Sequence, residues 1–283
     1  MKRIVKSFFP YGLVLWVLMP AYSMAKGPTV SPDITRAAPR GTRQGSTVTV
    51  IVQGRNLADA QGVLFSDPGL QGRVLGVRRL SQKKREDPRP GDSDAAVYEA
   101  PPYEVTLEVS VSTGARAGIH TFALVTPLGV TAAAAFAVGE LQEVAEGATP
   151  VTGGKGNWAE LPATLVGTLA SAGETDEFEF YARAGRELVF QVLAAELDSP
   201  LEPVLKLMDS EGREVARTWS SISRDVVLDA KIKADGNYTL RISDYQMRGG
   251  QGFYYRVNAG ELPYIKQVFP LGIAKGKTSE VKI

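Results

Sequence analysis

Few residues in this chain are equipped for chemistry. It has no cysteine and one histidine, His120, so disulfides, thiolate metal sites and a cysteine nucleophile are excluded. A serine triad would need His120 as its base, but no serine stands in a nucleophile-elbow setting around it and no HExxH-type zinc spacing occurs. Catalysis is therefore not expected. Glu174, Asp176, Asp209, Asp225, Asp229 and Asp244 could in principle pair to cut a glycosidic bond, yet they fall at strand ends and turns, where carboxylates commonly bond backbone N–H groups. Of these, Glu174, Asp176 and Asp209 are the candidate calcium ligands, because separate turns could gather the roughly six oxygens that calcium takes. They read more readily as solvated turn acids, and no other cofactor is expected. Trp219, Tyr245 and Tyr254 are candidates for binding sugar or polypeptide on an aromatic platform, with Tyr264 beside them. Alternation sets Tyr254 opposite Phe253 and Tyr255, on the outward face. The glycines of Thr152-Gly153-Gly154-Lys155-Gly156-Asn157 lack the phosphate-loop frame and read as a linker.

The elements that must hold these residues are strands. Thr47 to Val52 is dense in β-branched residues, and Tyr103, Val105, Leu107, Val109 and Val111 alternate with polar neighbours, giving one apolar and one wet face. Gly118 to Thr126 and Val130 to Val138 form a closing pair around Pro127-Leu128-Gly129. Residues 78–102, charged and proline-rich through Gln82-Lys83-Lys84-Arg85-Glu86-Asp87-Pro88-Arg89-Pro90, are expected to be a long exposed loop. A second block alternates at Phe178 and Phe180, at Leu188, Phe190 and Val192, and at Tyr238, Leu240 and Ile242, with turns at Ala184-Gly185, Ser210-Glu211-Gly212 and Asp235-Gly236-Asn237. That spacing suits a sandwich or jelly roll.

At the amino terminus, Lys2, Arg3 and Lys6 precede an apolar run from Gly12 to Met19 and the small residues Ser23-Met24-Ala25, the pattern of an export signal cleaved before Lys26. The run is shorter than the roughly 20 residues of a membrane span. The chain has 32 Lys+Arg against 31 Asp+Glu, so losing those three cations leaves the mature chain slightly acidic, and a nucleic-acid partner is not expected.

Ile34 to Gly45 and Ile265 to Gly276 share the frame I-x4-P-x-G-x3-G, with Pro39, Gly41 and Gly45 matched by Pro270, Gly272 and Gly276. An alternating strand comes after each copy, Val50 and Val52 in the first and Val281 and Ile283 in the second, as at the entrance of two like modules.

Gly45-Ser46-Thr47-Val48-Thr49-Val50, Gly54-Arg55-Asn56-Leu57, Val63-Leu64-Phe65 and Gly118-Ile119-His120-Thr121-Phe122 resemble the IPT/TIG immunoglobulin-like fold. The second block resembles the bacterial pre-peptidase C-terminal (PPC) domain through Gly173-Glu174-Thr175-Asp176-Glu177-Phe178-Glu179-Phe180, Ala184-Gly185-Arg186-Glu187-Leu188, Leu205 to Gly212 and Asp235 to Ile242. These resemblances imply modules of the kind found beside secreted peptidases and in planctomycete-type surface proteins. Some PPC relatives bind calcium through an acidic segment, commonly Glu-Pro-Asn, before the first strand; here that segment reads Lys155-Gly156-Asn157-Trp158-Ala159-Glu160.

The expectation is an all-β chain, an immunoglobulin-like β-sandwich followed by a jelly-roll-type β-sandwich with the first strand of a third, Ig-like domain: signal peptide 1–25, first domain 26–139, linker 140–158, second domain 159–262 and a truncated domain start at 263–283. The expected function is a non-catalytic secreted, periplasmic or cell-surface protein whose modules bind, adhere or space, with extracellular polysaccharide, protein polymer or cell-envelope partners. The alternative is the accessory region of a larger secreted peptidase or other hydrolase whose catalytic domain lies elsewhere.

Overall fold

Period-two alternation gives each strand one face to bury. In the computed structural model, which describes residues 31–81, 102–148, 156–219, 225–265 and 268–282, those faces close on two cores. The strands are β1 (Asp33–Ala38), β2 (Gly41–Arg43), β3 (Thr47–Arg55), β4 (Gly62–Phe65), β5 (Leu70–Arg79), β6 (Pro102–Val111), β7 (Gly118–Thr126), β8 (Gly129–Val130), β9 (Ala134–Gly139), β10 (Gln142–Ala145), β11 (Asn157–Trp158), β12 (Ala163–Thr168), β13 (Thr175–Ala182), β14 (Glu187–Leu193), β15 (Pro203–Met208), β16 (Glu214–Trp219), β17 (Val227–Lys231), β18 (Gly236–Asp244) and β19 (Tyr254–Gly260). One short 3-10 turn, Ala195–Leu197, interrupts them. Among the described residues no helix is long and apolar enough to cross a membrane.

The first sandwich stacks the sheet β1-β3-β6-β5 on the sheet β2-β9-β7-β4, with β8 paired to β7. The alternation read in β6 holds: Val105, Leu107, Val109 and Val111 are buried together with Val50, Val52 and Leu124. Phe122 and Phe136 meet edge to face there at 6.4 Å. The second sandwich stacks β10-β12-β19-β14-β17 on β11-β13-β18-β15-β16. Phe178, Phe180, Phe190, Leu240, Ile242 and Tyr255 are wholly buried in its core, each such apolar side chain contributing on the order of 1.5–3 kcal/mol.

The stretch expected to be linker carries secondary structure at both ends. β10 adds to the second sandwich by parallel pairing with β12, Gln142 opposite Ala163 through Ala145 opposite Val166, and β11 pairs parallel with β13. Val144 enters the core and Asn157 holds the Gly147 N–H, so even these few non-glycine residues find partners that composition does not disclose. Residues 149–155, the expected signal at 1–25 and most of the expected loop at 78–102 lie outside the described residues, although Arg78 and Arg79 belong to β5.

The tail copy of the repeated frame takes the backbone geometry of the first. Gly45 and Gly276 both adopt the left-handed conformation, at φ 72° and 76°, which glycine reaches without a Cβ penalty. The residue after each glycine donates to the same turn carbonyl, Ser46 to Arg43 at 3.2 Å and Lys277 to Ala274 at 3.0 Å. Beyond the turn, Phe269 bridges Lys282 where Ala38 pairs with Ile51.

Candidate functional site

Three places gather polar or aromatic groups. The first lies where β13 begins. Gly173 turns the chain at φ 78°, and Glu174 and Asp176 flank Thr175 on one edge of the second sandwich. Glu174 Oε2 accepts from the backbone N–H and the hydroxyl of Ser171, at 2.7 and 2.9 Å. Glu146, one residue past β10, donates its N–H to the Val166 carbonyl and accepts from the Thr168 N–H, which brings its carboxylate to the same spot. Oxygens of Glu146, Glu174 and Asp176 all lie within 4.8 Å of one another.

Asp176 is the buried member, and Tyr255 donates its hydroxyl to Asp176 Oδ2 at 2.5 Å. Tyr255 reaches across because Gly167 leaves room; a Cβ there would lie 2.2 Å from the hydroxyl oxygen. Burial, followed by the charges of Glu146 and Glu174, raises the Asp176 carboxyl to about 7 against the opposing bond from Tyr255. The Tyr255 hydroxyl is likewise pushed well above its ordinary range, first by burial and then by the charge of Asp176. Three crowded carboxylates form a hard oxygen set of the sort a divalent cation such as calcium neutralises, with water or backbone oxygens completing the shell. Of the expected calcium residues, Glu174 and Asp176 come together and Asp209 does not. Asp209 closes the β15–β16 turn, accepting the N–H groups of Glu211 and Arg213 and the Arg213 Nε; bonding to the Arg213 backbone and side chain holds its carboxyl below the usual range. Glu146 went unread in the sequence because the residues around it looked like plain linker.

The other acids are also occupied. Asp225 accepts the N–H groups of Ala194, Ala195 and Glu196 at the 3-10 turn. Asp244 accepts those of Glu202, Gln246 and Arg248 and the Arg248 guanidinium. His120 sits in β7 with Nε2 at 2.8 Å from the Arg116 carbonyl and Nδ1 at 3.9 Å from Asp67. No serine hydroxyl bonds to it among the described residues.

The second place is the outer face of the β11-β13-β18-β15-β16 sheet. Trp219 on edge strand β16 stands opposite Val204, itself opposite Ser243. Tyr245 continues that face just past β18. They are 47% and 60% exposed, and the Arg217 guanidinium carbon lies 5.0 Å over the indole, a cation–π contact. Tyr254 does not join them. It does point away from its own core, as alternation required, but the first sandwich covers that face and leaves it 6% exposed.

The third place is this covering. Ala135 and Ala137 of β9 pack on Leu197 and Tyr254, with Val166 and Leu193 alongside. Around the cluster, Arg40 Nη1 meets Asp198 Oδ2 at 2.6 Å, the same oxygen accepts the Ala135 N–H at 3.2 Å, and Arg36 bonds Gln251. Arg256 on β19 is 1% exposed and pairs through Nη2 with Glu143 of β10, while its Nη1 and the Tyr254 hydroxyl are buried with no hydrogen-bond partner among the described residues. Gly41 makes the approach feasible: a Cβ there would fall 2.5 Å from the Ala137 carbonyl oxygen and 3.1 Å from Arg256 Nη1.

No family model and no curated protein matches this chain. Several solved structures align with it at low TM-score. A pre-peptidase C-terminal domain of a Bacillus anthracis collagenase is 18% identical, aligned over 39% of this chain and 99% of that one with a TM-score of 0.30. SGBP-B of a Bacteroides ovatus mixed-linkage glucan utilization locus, in complex with a mixed-linkage heptasaccharide, is 10% identical, over 80% and 74% at TM-score 0.24. The collagen adhesin of S. aureus is 7% identical, over 81% and 97% at TM-score 0.20.

Proposed function

We propose that the chain is a non-catalytic exported unit in which an IPT/TIG-like sandwich and a PPC-like sandwich are held at a fixed angle, spacing and presenting surfaces to extracellular polymers. The joint between the sandwiches carries this reading. Two domains of one chain move relative to each other by default. Here Arg256 and Glu143 pair beneath a packed apolar cluster, and Arg40 and Asp198 clamp its rim. Arg40 belongs to the first sandwich and Asp198 to the second, so opening the joint would break that pair and expose the apolar cluster and the covered Arg256 side chain to water. The Trp219–Tyr245 face points away from the joint's sheet and is the surface available for adhesion. Export is supported by the positive start, apolar run and small residues of positions 1–25.

Small-angle scattering of the mature chain from Lys26 tests the reading. A single rigid particle is expected, together with absence of hydrolysis on protein and glycan substrates. A broad distribution of inter-sandwich distances, or turnover of a substrate by the purified chain, overturns it.

A further inference from the structure

Beside the joint, the two sandwiches leave an open cleft of about 460 Å³, within the size range of small-ligand sites, which favour such junctions. Its floor is the next row of the β10-β12-β19-β14-β17 sheet. There Asn258 and Gln191 stand side by side in register on the outer face, with buried Thr164 on the far side of Asn258, immediately past the row in which Arg256 lies under the first sandwich. Thr164 donates to Asn258 Oδ1 at 2.9 Å, which orients that amide with its NH2 group left to donate. The Gln191 amide makes no hydrogen bond among the described residues and offers both a donor and an acceptor. Glu140 and Glu196 contribute carboxylates on either side, with no ion pair among the described residues. Ile119 and Leu193 supply apolar wall.

We propose that this cleft binds a neutral saccharide. Two aligned amides suit hydroxyls, each of which can donate and accept. Acceptors outnumber donors, so the occupant must be rich in donor groups, and a hydroxyl supplies one while also accepting from the two amides. The unpaired carboxylates disfavour an anion, and the positive charge of Arg256 is already met by Glu143. The aliphatic wall suits the C–H faces of a sugar ring. The site depends on the joint proposed above but uses none of the residues of the Trp219 face.

The test is calorimetric titration of the mature chain with neutral oligosaccharides (gluco-, xylo- and manno-hexaose and chitohexaose), with oligogalacturonate and with a lysine-rich peptide. Binding of one neutral oligosaccharide is expected, about tenfold weaker in Gln191→Ala, the loss of one or two hydrogen bonds. It should be abolished in Gln191→Trp, which fills the cleft from an exposed position of β14. Absence of neutral-saccharide binding, or binding indifferent to both Gln191 variants, overturns the inference; so does preference for the oligogalacturonate or the peptide. A rigid particle by scattering without saccharide binding defeats this inference alone, whereas a flexible particle defeats the joint as well.

Discussion

Asp176 offers the sharpest quantitative test of the acidic cluster. Its carboxyl is raised to about 7 in the folded chain from an ordinary 3.8. A raised acid is stabilising while protonated. Below about pH 4 the group is neutral in both folded and unfolded states, and stability is complete in this respect. Between about 4 and 7 the unfolded chain ionises while the folded one retains its proton, so stability falls by up to about 1.4 kcal/mol per pH unit. Above 7 both are ionised and the loss levels off at about 4 kcal/mol. Asp176→Asn keeps the shape and an acceptor for the Tyr255 hydroxyl while removing the charge. With chelator present, the variant should match the parent near pH 4 and exceed it at pH 8 by about 4 kcal/mol, a rise in melting temperature on the order of 10 °C for a unit of this size. Circular-dichroism melts from pH 4 to 8 on both proteins give the difference directly, because every other titrating group is common to the two. Parallel curves across that range, or a variant less stable than its parent at pH 8, would refute the argument that burial and the neighbouring carboxylates set this proton's affinity.

The same geometry fixes four other outcomes. Calcium should raise the melting midpoint of the parent at pH 8, since a ligand of the folded state alone must do so, and Glu174→Gln should remove most of that rise; an identical calcium response in both would exclude the cluster as the binding place. Glu143→Ala should cost about 3–5 kcal/mol in urea denaturation by stranding buried Arg256, whereas Arg256→Met should cost less than half as much because Glu143 is partly exposed and can turn to water. Gly41→Ala forces a Cβ against the Ala137 carbonyl and should cost about 1–3 kcal/mol, while Gly272→Ala, with nothing within 4 Å, should leave the melting temperature unchanged. Trp219→Ala should shift stability by no more than about 0.5 kcal/mol and yet weaken retention on insoluble polymer in pull-down assays.

The strands were legible before any coordinates because alternation is local. Val105 through Val111, Phe178 and Phe180, and Tyr238 through Ile242 reveal which side faces a core by their neighbours alone, and all of these apolar positions are buried. The turn acids were legible for the same reason: Asp209 and Asp244 bond N–H groups within four residues of themselves. The candidate sites were legible in part. Glu174 and Asp176 were named, but Glu146 was not, since nothing near it in the chain marks a residue that meets them only after β10 pairs with β12. Arg256 had a faint signal, a charged residue at an outward position between Tyr255 and Val257, but an outward arginine ordinarily faces water.

By itself the sequence settled what kind of chain this is. One histidine, no cysteine and period-two patterning decide an all-β build with no thiol chemistry, because residue chemistry and backbone pleat act over neighbouring positions. Tertiary structure decided what those strands do to one another. It buried Tyr254 and Arg256 beneath a second sandwich, drew three carboxylates from separate elements to one point, and opened a cleft beside the joint. Those outcomes depend on which outer face is covered, and a covering segment more than a hundred residues away in the chain leaves no mark on the alternation of the strand it covers.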